Sequence, residues 1–326
     1  MLPIAAIIIG ILLLVISADK FVEGAAAAAR RLGLPPLLIG MLVIGFGSSM
    51  PEMVISGLSA SQGNPGLALG NAFGSNITNI ALILGLTAII SPIKVASSVL
   101  ERELPLLAIV TAVTAGLLYV DGTLGRVDGW LLIAMFAAIM AWSIWAGMKN
   151  KDDTLGVSVA QELQTPLSMT RALVYVVAGL TMLVISSQIL VWGGVEIARS
   201  LGISDLIIGL TIVAVGTSLP ELASSIAAVR KNEHELALGN VIGSNLFNTS
   251  IVIGITGTIA PSVLDTGILT RDLPVLIVLT LALFAMGYSF RSPGAGIITR
   301  FEGSVLLLTY IAYNIGLTMS VVASRY

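Results

Sequence analysis

Residues 45–52 read Gly-Phe-Gly-Ser-Ser-Met-Pro-Glu, and residues 214–221 read Ala-Val-Gly-Thr-Ser-Leu-Pro-Glu. The second copy lies 169 positions after the first, and that offset holds well beyond the two octapeptides. It pairs Ser17 with Ser186, Leu32-Gly33 with Leu201-Gly202, Gly40 with Gly209, and Gly70-Asn71 with Gly239-Asn240. It also pairs Gly74-Ser75-Asn76 with Gly243-Ser244-Asn245, Asn79 with Asn248, Pro92 with Pro261, Arg102 with Arg271 and Pro105 with Pro274. One ungapped register of this length marks a duplication, so the fold must be built from two copies of one unit.

Each copy is a string of apolar stretches. Ten of them, at about 3–20, 37–60, 67–90, 104–120, 129–148, 171–190, 206–229, 236–260, 273–290 and 303–322, are long enough to cross a hydrocarbon core of about 30 Å. Charged residues make up 10% of the chain and the mean hydropathy is +1.01. The reading is therefore an all-α transmembrane protein: residues 1–148 form a first five-helix repeat, 149–170 a cytoplasmic linker, and 171–326 the second repeat. Five crossings is an odd number, so the second copy enters the membrane the other way up. Such inverted repeats place a binding site at their interface near the midplane. Loops on one side hold Arg30, Arg31, Lys94, Arg102, Lys149, Lys151, Arg171, Arg230, Lys231, Arg291 and Arg300, and Lys20 adjoins them. The other side holds Arg126, Arg199, Arg271 and Arg325, which puts both termini outside. The N-terminal stretch lacks a basic region before its apolar run, so it reads as a span and not as a cleavable signal peptide. A net charge of −2 gives no field for nucleic acid, and the absence of cysteine removes disulfides and thiolate metal sites.

Glu52 and Glu221 carry the chemistry. A carboxylate at bilayer depth is costly, and two in duplicated surroundings point to function. Pro51 and Pro220 each interrupt a helix by removing an N–H and displacing a carbonyl, and Gly45 and Gly47 loosen the preceding turn. Carbonyls freed in hydrocarbon must line a cavity or meet an ion. Ser48, Ser49 and Glu52 share a face, and the next span adds Asn71, Ser75, Asn76 and Asn79. Thr217, Ser218 and Glu221 with Asn240, Ser244, Asn245 and Asn248 repeat the construction. Pooled, these donors are all oxygens or amides, without thiolate or imidazole, which suits a hard cation such as Ca²⁺. Two carboxylates match one divalent or two monovalent ions.

Other polar residues read more plainly. Gly40, Gly85, Gly209 and Gly254 suit close helix packing. Asp19 and Glu23 have no acidic counterparts and read as interfacial; His234 sits in a charged segment and reads as solvated; most Met and Trp residues read as core or interface anchors. A single histidine excludes a His-Glu-x-x-His hydrolase, and no nucleophile–base pair suggests an enzyme.

The two motifs, Gly47-Ser48-Ser49-Met50-Pro51-Glu52 with Gly70–Asn79 and Gly216-Thr217-Ser218-Leu219-Pro220-Glu221 with Gly239–Asn248, resemble the α-repeats of the sodium/calcium exchanger family within the calcium/cation antiporters. The resemblance covers all ten stretches. It implies ten helices in two inverted halves, alternating access around clustered ion sites, Na⁺ and Ca²⁺ as substrates, a multi-pass position in a prokaryotic plasma membrane, and no cofactor. By resemblance, Ca²⁺ would be held by Glu52 and Glu221 with backbone oxygens of Ser48 and Thr217. Na⁺ would be held by Ser49, Ser75, Ser218 and Ser244 together with both glutamates and the carbonyls of Gly45 and Ala214. Asn79 and Asn248 would complete the centre. Ser48 stands where Thr is more usual, position 248 is Asn where some relatives carry Asp, and the regulatory domain of animal exchangers is missing. An amide at 248 implies exchange independent of K⁺. A H⁺/divalent cation antiporter on the same scaffold is the alternative, and a passive cation channel a weaker one.

Overall fold

The computed structural model describes residues 2–32, 36–97, 99–149, 167–201, 214–287 and 295–323. Residues 150–166 of the expected linker and 206–213 of the seventh apolar stretch lie outside them. The chain opens with α1 (Leu2–Leu32). Next comes a broken helix, α2 (Leu37–Ser48) and α3 (Met50–Ser61), whose parts meet at 45°. Then follow α4 (Pro65–Ile90), strand β1 (Ile93–Ala96), α5 (Val99–Asp121), strand β2 (Thr123–Leu124) and α6 (Arg126–Lys149). The second half runs α7 (Met169–Ser200), the short α8 (Ala214–Thr217), α9 (Leu219–Arg230), α10 (His234–Ile259), β3 (Ser262–Val263), α11 (Ile268–Gly287), β4 (Ala295–Ile298) and α12 (Arg300–Ala323).

Every one of the ten expected stretches thus coincides with helix where it is described. Among the described residues, seven helices are long and apolar enough to cross a membrane, or eight with α2 and α3 taken as one bent span. The tenth stretch is helical in α12 without being among those seven, and the seventh is described only from Ala214 onward.

The duplication is visible in the backbone. The 169-residue offset maps α3 onto α9 end to end, and Gly63 (φ 79°) onto Asn232 (φ 59°). Both of those residues occupy the left-handed region in the tight turn that follows, open to glycine and tolerated by asparagine. The turn leads straight into α10, so His234 begins a helix and is half-buried, contrary to the solvated position expected for it. Asp19 is half-exposed and pairs with Lys231 at 2.8 Å.

The inversion follows from packing. Helices α1 and α7 are equivalent under the offset, yet Gly10 lies against Leu190, Phe21 against Gly179 and Gly24 against Ala172. Residue numbers rise along one helix as they fall along the other, so equivalent helices run antiparallel. The same holds for α4 and α10, where Asn76 meets Thr249 and Asn79 meets Asn245. The strands tie the halves together. β1 pairs antiparallel with β4, Ile93 opposite Ile298, and β2 with β3, Thr123 opposite Val263. Each ribbon draws one strand from each repeat.

At the centre lie α4 and α10, with α10 almost wholly buried. Its approach to α2 depends on glycine. A Cβ at Gly243 would stand 2.7 Å from the Met41 backbone, and one at Gly40 2.7 Å from the Leu236 carbonyl oxygen. Gly40, Gly85 and Gly254 do serve close packing, as their spacing suggests; Gly209 lies outside the described residues.

Candidate cation site at the repeat interface

The break between α2 and α3 falls at Ser49, whose φ/ψ of −84°/4° leaves the helical region. Its counterpart Ser218, at −90°/7°, breaks the chain between α8 and α9 in the same way. Pro51 and Pro220 then sit in the first turn of the helix that follows, where a missing N–H costs nothing. That first turn also holds Glu52 or Glu221, near the positive end of the helix dipole.

Ser-x-x-Glu at a helix start is the sequence of a capping box, in which serine and glutamate of one helix satisfy each other's backbone. Here the box is crossed. Neither serine caps its own helix. Ser49 Oγ instead donates to Glu221 Oε1 at 3.1 Å, and Ser218 Oγ donates to Glu52 Oε1 at 3.3 Å. Each repeat's serine therefore serves the other repeat's carboxylate.

Both glutamates are buried, at 0% and 1% exposure, and each leaves its Oε2 without a hydrogen-bond partner among the described residues. Neither forms an ion pair among those residues, and no third acidic, His or Cys side chain joins them in a metal-holding cluster. The result is a formal charge of −2 on two buried side chains, with hydroxyl oxygens beside them. Such a pair requires cations or protons, since an isolated buried carboxylate is far more costly than a paired one.

Other polar groups lie around this pair. The Gly45 carbonyl accepts from Ser49 N at 3.1 Å, and Ser244 Oγ reaches it from α10 at 3.4 Å. Ser48 Oγ donates to Asn240 Oδ1 at 3.1 Å. Ser75, Asn79, Ser244 and Asn248 are all buried, and Thr217 is half-buried. Ala214 opens α8, and only its backbone is described. Asn71 and Asn79, on the same helix, serve two neighbours: Asn79 reaches α10, whereas Asn71 faces α3.

Asn71 and Asn240 have a supporting role that sequence reasoning did not assign. Asn71 Nδ2 donates to the Glu52 carbonyl oxygen at 3.2 Å and to Ser56 Oγ at 3.0 Å. Asn240 Nδ2 does the same for the Glu221 carbonyl oxygen at 2.9 Å and Ser225 Oγ at 2.8 Å. The signal was present as a serine four residues after each glutamate, at 56 and at 225. Each asparagine clamps the helix that bears a glutamate to the next helix.

An inverted duplication of membrane helices, with two carboxylates at the interface that lack basic partners among the described residues, defines a secondary cation transporter. The profile of the family described as sodium/calcium exchanger protein matches residues 2–145 and 171–319. The putative antiporter CaxA of Alkalimonas amylolytica is 45% identical over 94% of this chain and 96% of its own length. The inner membrane protein YrbG of Escherichia coli (strain K12) is 39% identical over 91% of each. The solved structure of the sodium-calcium exchanger NCX_Mj, soaked with Na⁺ and Ca²⁺, superposes with a TM-score of 0.83 at 30% identity, covering 97% of this chain and 99% of that one. The chain belongs to the sodium/calcium exchanger family: it is a multi-pass membrane antiporter of cations including Ca²⁺, and not an enzyme.

Proposed function

We propose that this antiporter exchanges Na⁺ for Ca²⁺ by alternating access, with Na⁺ entry driving Ca²⁺ export and no requirement for K⁺. The observation that carries the reading is the crossed pair of serine–carboxylate bonds, which joins the two repeats at one site of charge −2. Ca²⁺ takes Glu52, Glu221 and the backbone oxygens of Ser48 and Thr217. Na⁺ takes Ser49, Ser75, Ser218 and Ser244 with the carbonyls of Gly45 and Ala214 and the same glutamates, while Asn79 and Asn248 complete the centre. Because the glutamates serve both ions, one Ca²⁺ and its replacing Na⁺ ions cannot occupy them together, which couples the two fluxes. One Ca²⁺ already balances both carboxylates, and a co-bound K⁺ would leave an uncompensated charge in a poorly solvated site.

The repeats extend over 1–148 and 171–326, joined by a cytoplasmic linker at 149–170, with both termini outside a prokaryotic plasma membrane. NCX_Mj, named as a sodium-calcium exchanger, supports the choice of ions. The test is radiolabelled Ca²⁺ uptake into proteoliposomes under an imposed Na⁺ gradient, with choline replacing all K⁺. Uptake is expected to persist. Uptake driven by a pH gradient alone would establish H⁺/divalent cation exchange instead, and a strict K⁺ requirement would refute the charge count.

A further inference from the structure

Four asparagines lie where α4 and α10 cross: Asn76, Asn79, Asn245 and Asn248, each buried to within 1%. The offset pairs Asn76 with Asn245 and Asn79 with Asn248, so a two-fold arrangement would contain two equivalent amide bonds. One of them is made, with Asn79 Nδ2 donating to Asn245 Oδ1 at 3.1 Å. Its mate, from Asn248 Nδ2 to Asn76 Oδ1, is not, and both of those atoms lack partners among the described residues.

Position 249 breaks the symmetry. Thr249 Oγ1 accepts from Asn76 Nδ2 at 2.8 Å and so turns that amide to itself. The counterpart of Thr249 is Ile80, which offers Asn245 nothing, and Asn245 Nδ2 has no partner among the described residues. Asn245 is left to face Asn79. With its nitrogen held, Asn79 keeps Oδ1 buried and without a protein partner, whereas Asn248 has neither amide atom engaged.

We propose that Asn245 is a positioning residue that aims the carboxamide oxygen of Asn79 at the transported cation, and that Thr249, by holding Asn76, denies Asn248 the same support. The two central amides are then unequal ligands. Asn79 is a pre-set acceptor, and Asn248 must be oriented each time a cation arrives. Pre-orientation lowers the ordering cost of binding and leaves the chemistry of the ligand unchanged. This inference rests on the assignment of Asn79 and Asn248 as ion ligands.

The test is a double-mutant cycle read as the half-saturating Na⁺ concentration in proteoliposomes. Asn79→Ala is expected to raise it. Asn245→Ala is expected to raise it about fivefold, the size of one ordinary hydrogen bond, with the maximal rate unchanged. Asn245→Ala should add nothing in an Asn79→Ala background. Independent, multiplying effects, or an unaltered Asn245→Ala protein, would overturn the positioning role while leaving the ligand assignment intact. An unaltered Asn79→Ala protein would overturn it from below, by removing the assignment itself. Should Asn245→Ala fail to fold, the near-isosteric Thr249→Val decides. It frees Asn76 to hold Asn248, and is expected to lower the half-saturating concentration in the parent but not in an Asn248→Ala background. A shift that survives in that background would overturn the proposal.

Discussion

Replacing Glu221 by glutamine changes the charge of the central site from −2 to −1 with almost no change in volume. The residue is 1% exposed, and one carboxylate oxygen has no partner among the described residues, so water screens it little. A unit charge about 4 Å from another contributes about 4 kcal/mol at an effective dielectric constant of about 20, and about twice that when one partner is divalent. Glutamine retains an oxygen that still coordinates, which offsets part of the loss. If half of it remains, Ca²⁺ affinity falls roughly a thousandfold and Na⁺ affinity roughly thirtyfold. Radiolabelled Ca²⁺ uptake driven by a Na⁺ gradient should therefore be abolished at accessible concentrations, with Ca²⁺ more affected than Na⁺. Glu52→Gln should match it, because the two positions are equivalent. Glu302→Gln is the control, since that carboxylate accepts from Thr299 N at 2.7 Å at the exposed start of α12. Ca²⁺ flux within tenfold of the parent in either central variant would refute the reasoning, as would an equal loss in the control.

Ser49→Ala and Ser218→Ala each remove one hydroxyl from the carboxylate of the opposite repeat. A hydrogen bond to a charged group contributes about 1.5–3 kcal/mol, so the half-saturating Na⁺ concentration should rise about tenfold or more; no change in either variant would show that the crossed bonds carry no function. Gly243→Ala places a methyl group 2.7 Å from the Met41 backbone and should lower the melting temperature in detergent, as overpacking costs about 1–3 kcal/mol. Gly116→Ala, with no atom beyond its own turn of helix within 4 Å of its added Cβ, should not, and equal melting of the two would refute the close-approach argument. A reporter active only in the cytoplasm should be silent when fused after Tyr326 and active when inserted between Lys149 and Thr170; the reverse would invert the orientation.

Much of this architecture was legible because symmetry and hydropathy are written residue by residue. The offset that aligns Pro51 with Pro220 also fixes the breaks at Ser49 and Ser218, since proline and the residues before it dictate local backbone. The odd number of apolar stretches in each copy implied inversion, which the antiparallel packing of α1 on α7 displays. What stayed hidden was which partner each polar group would take. Ser49 three residues before Glu52 reads locally as a self-contained cap, and only the approach of the second repeat sends its hydroxyl elsewhere. Asn71 and Asn79 are equally polar and two turns apart, yet one clamps α3 and the other meets α10. The helical turn widens to π geometry over Thr78–Leu84, a local change of winding that spacing arguments based on 3.6 residues per turn do not anticipate. His234 was misplaced for a similar reason: a single left-handed Asn232 makes the connection too short to be an open loop.

The crossed serines also bear on how such a chain can be made. When the ribosome has delivered the first half, Glu52 is in place, but the hydroxyl that will meet it belongs to a segment not yet synthesised. The first repeat can insert without its partner, yet its carboxylate cannot be settled until the second has entered from the opposite direction. A gene encoding a single unit could finish the site only by placing two copies of its product in the membrane with opposite orientations. Fusion of the two units through a linker then secures in one polypeptide an encounter that would otherwise depend on concentration.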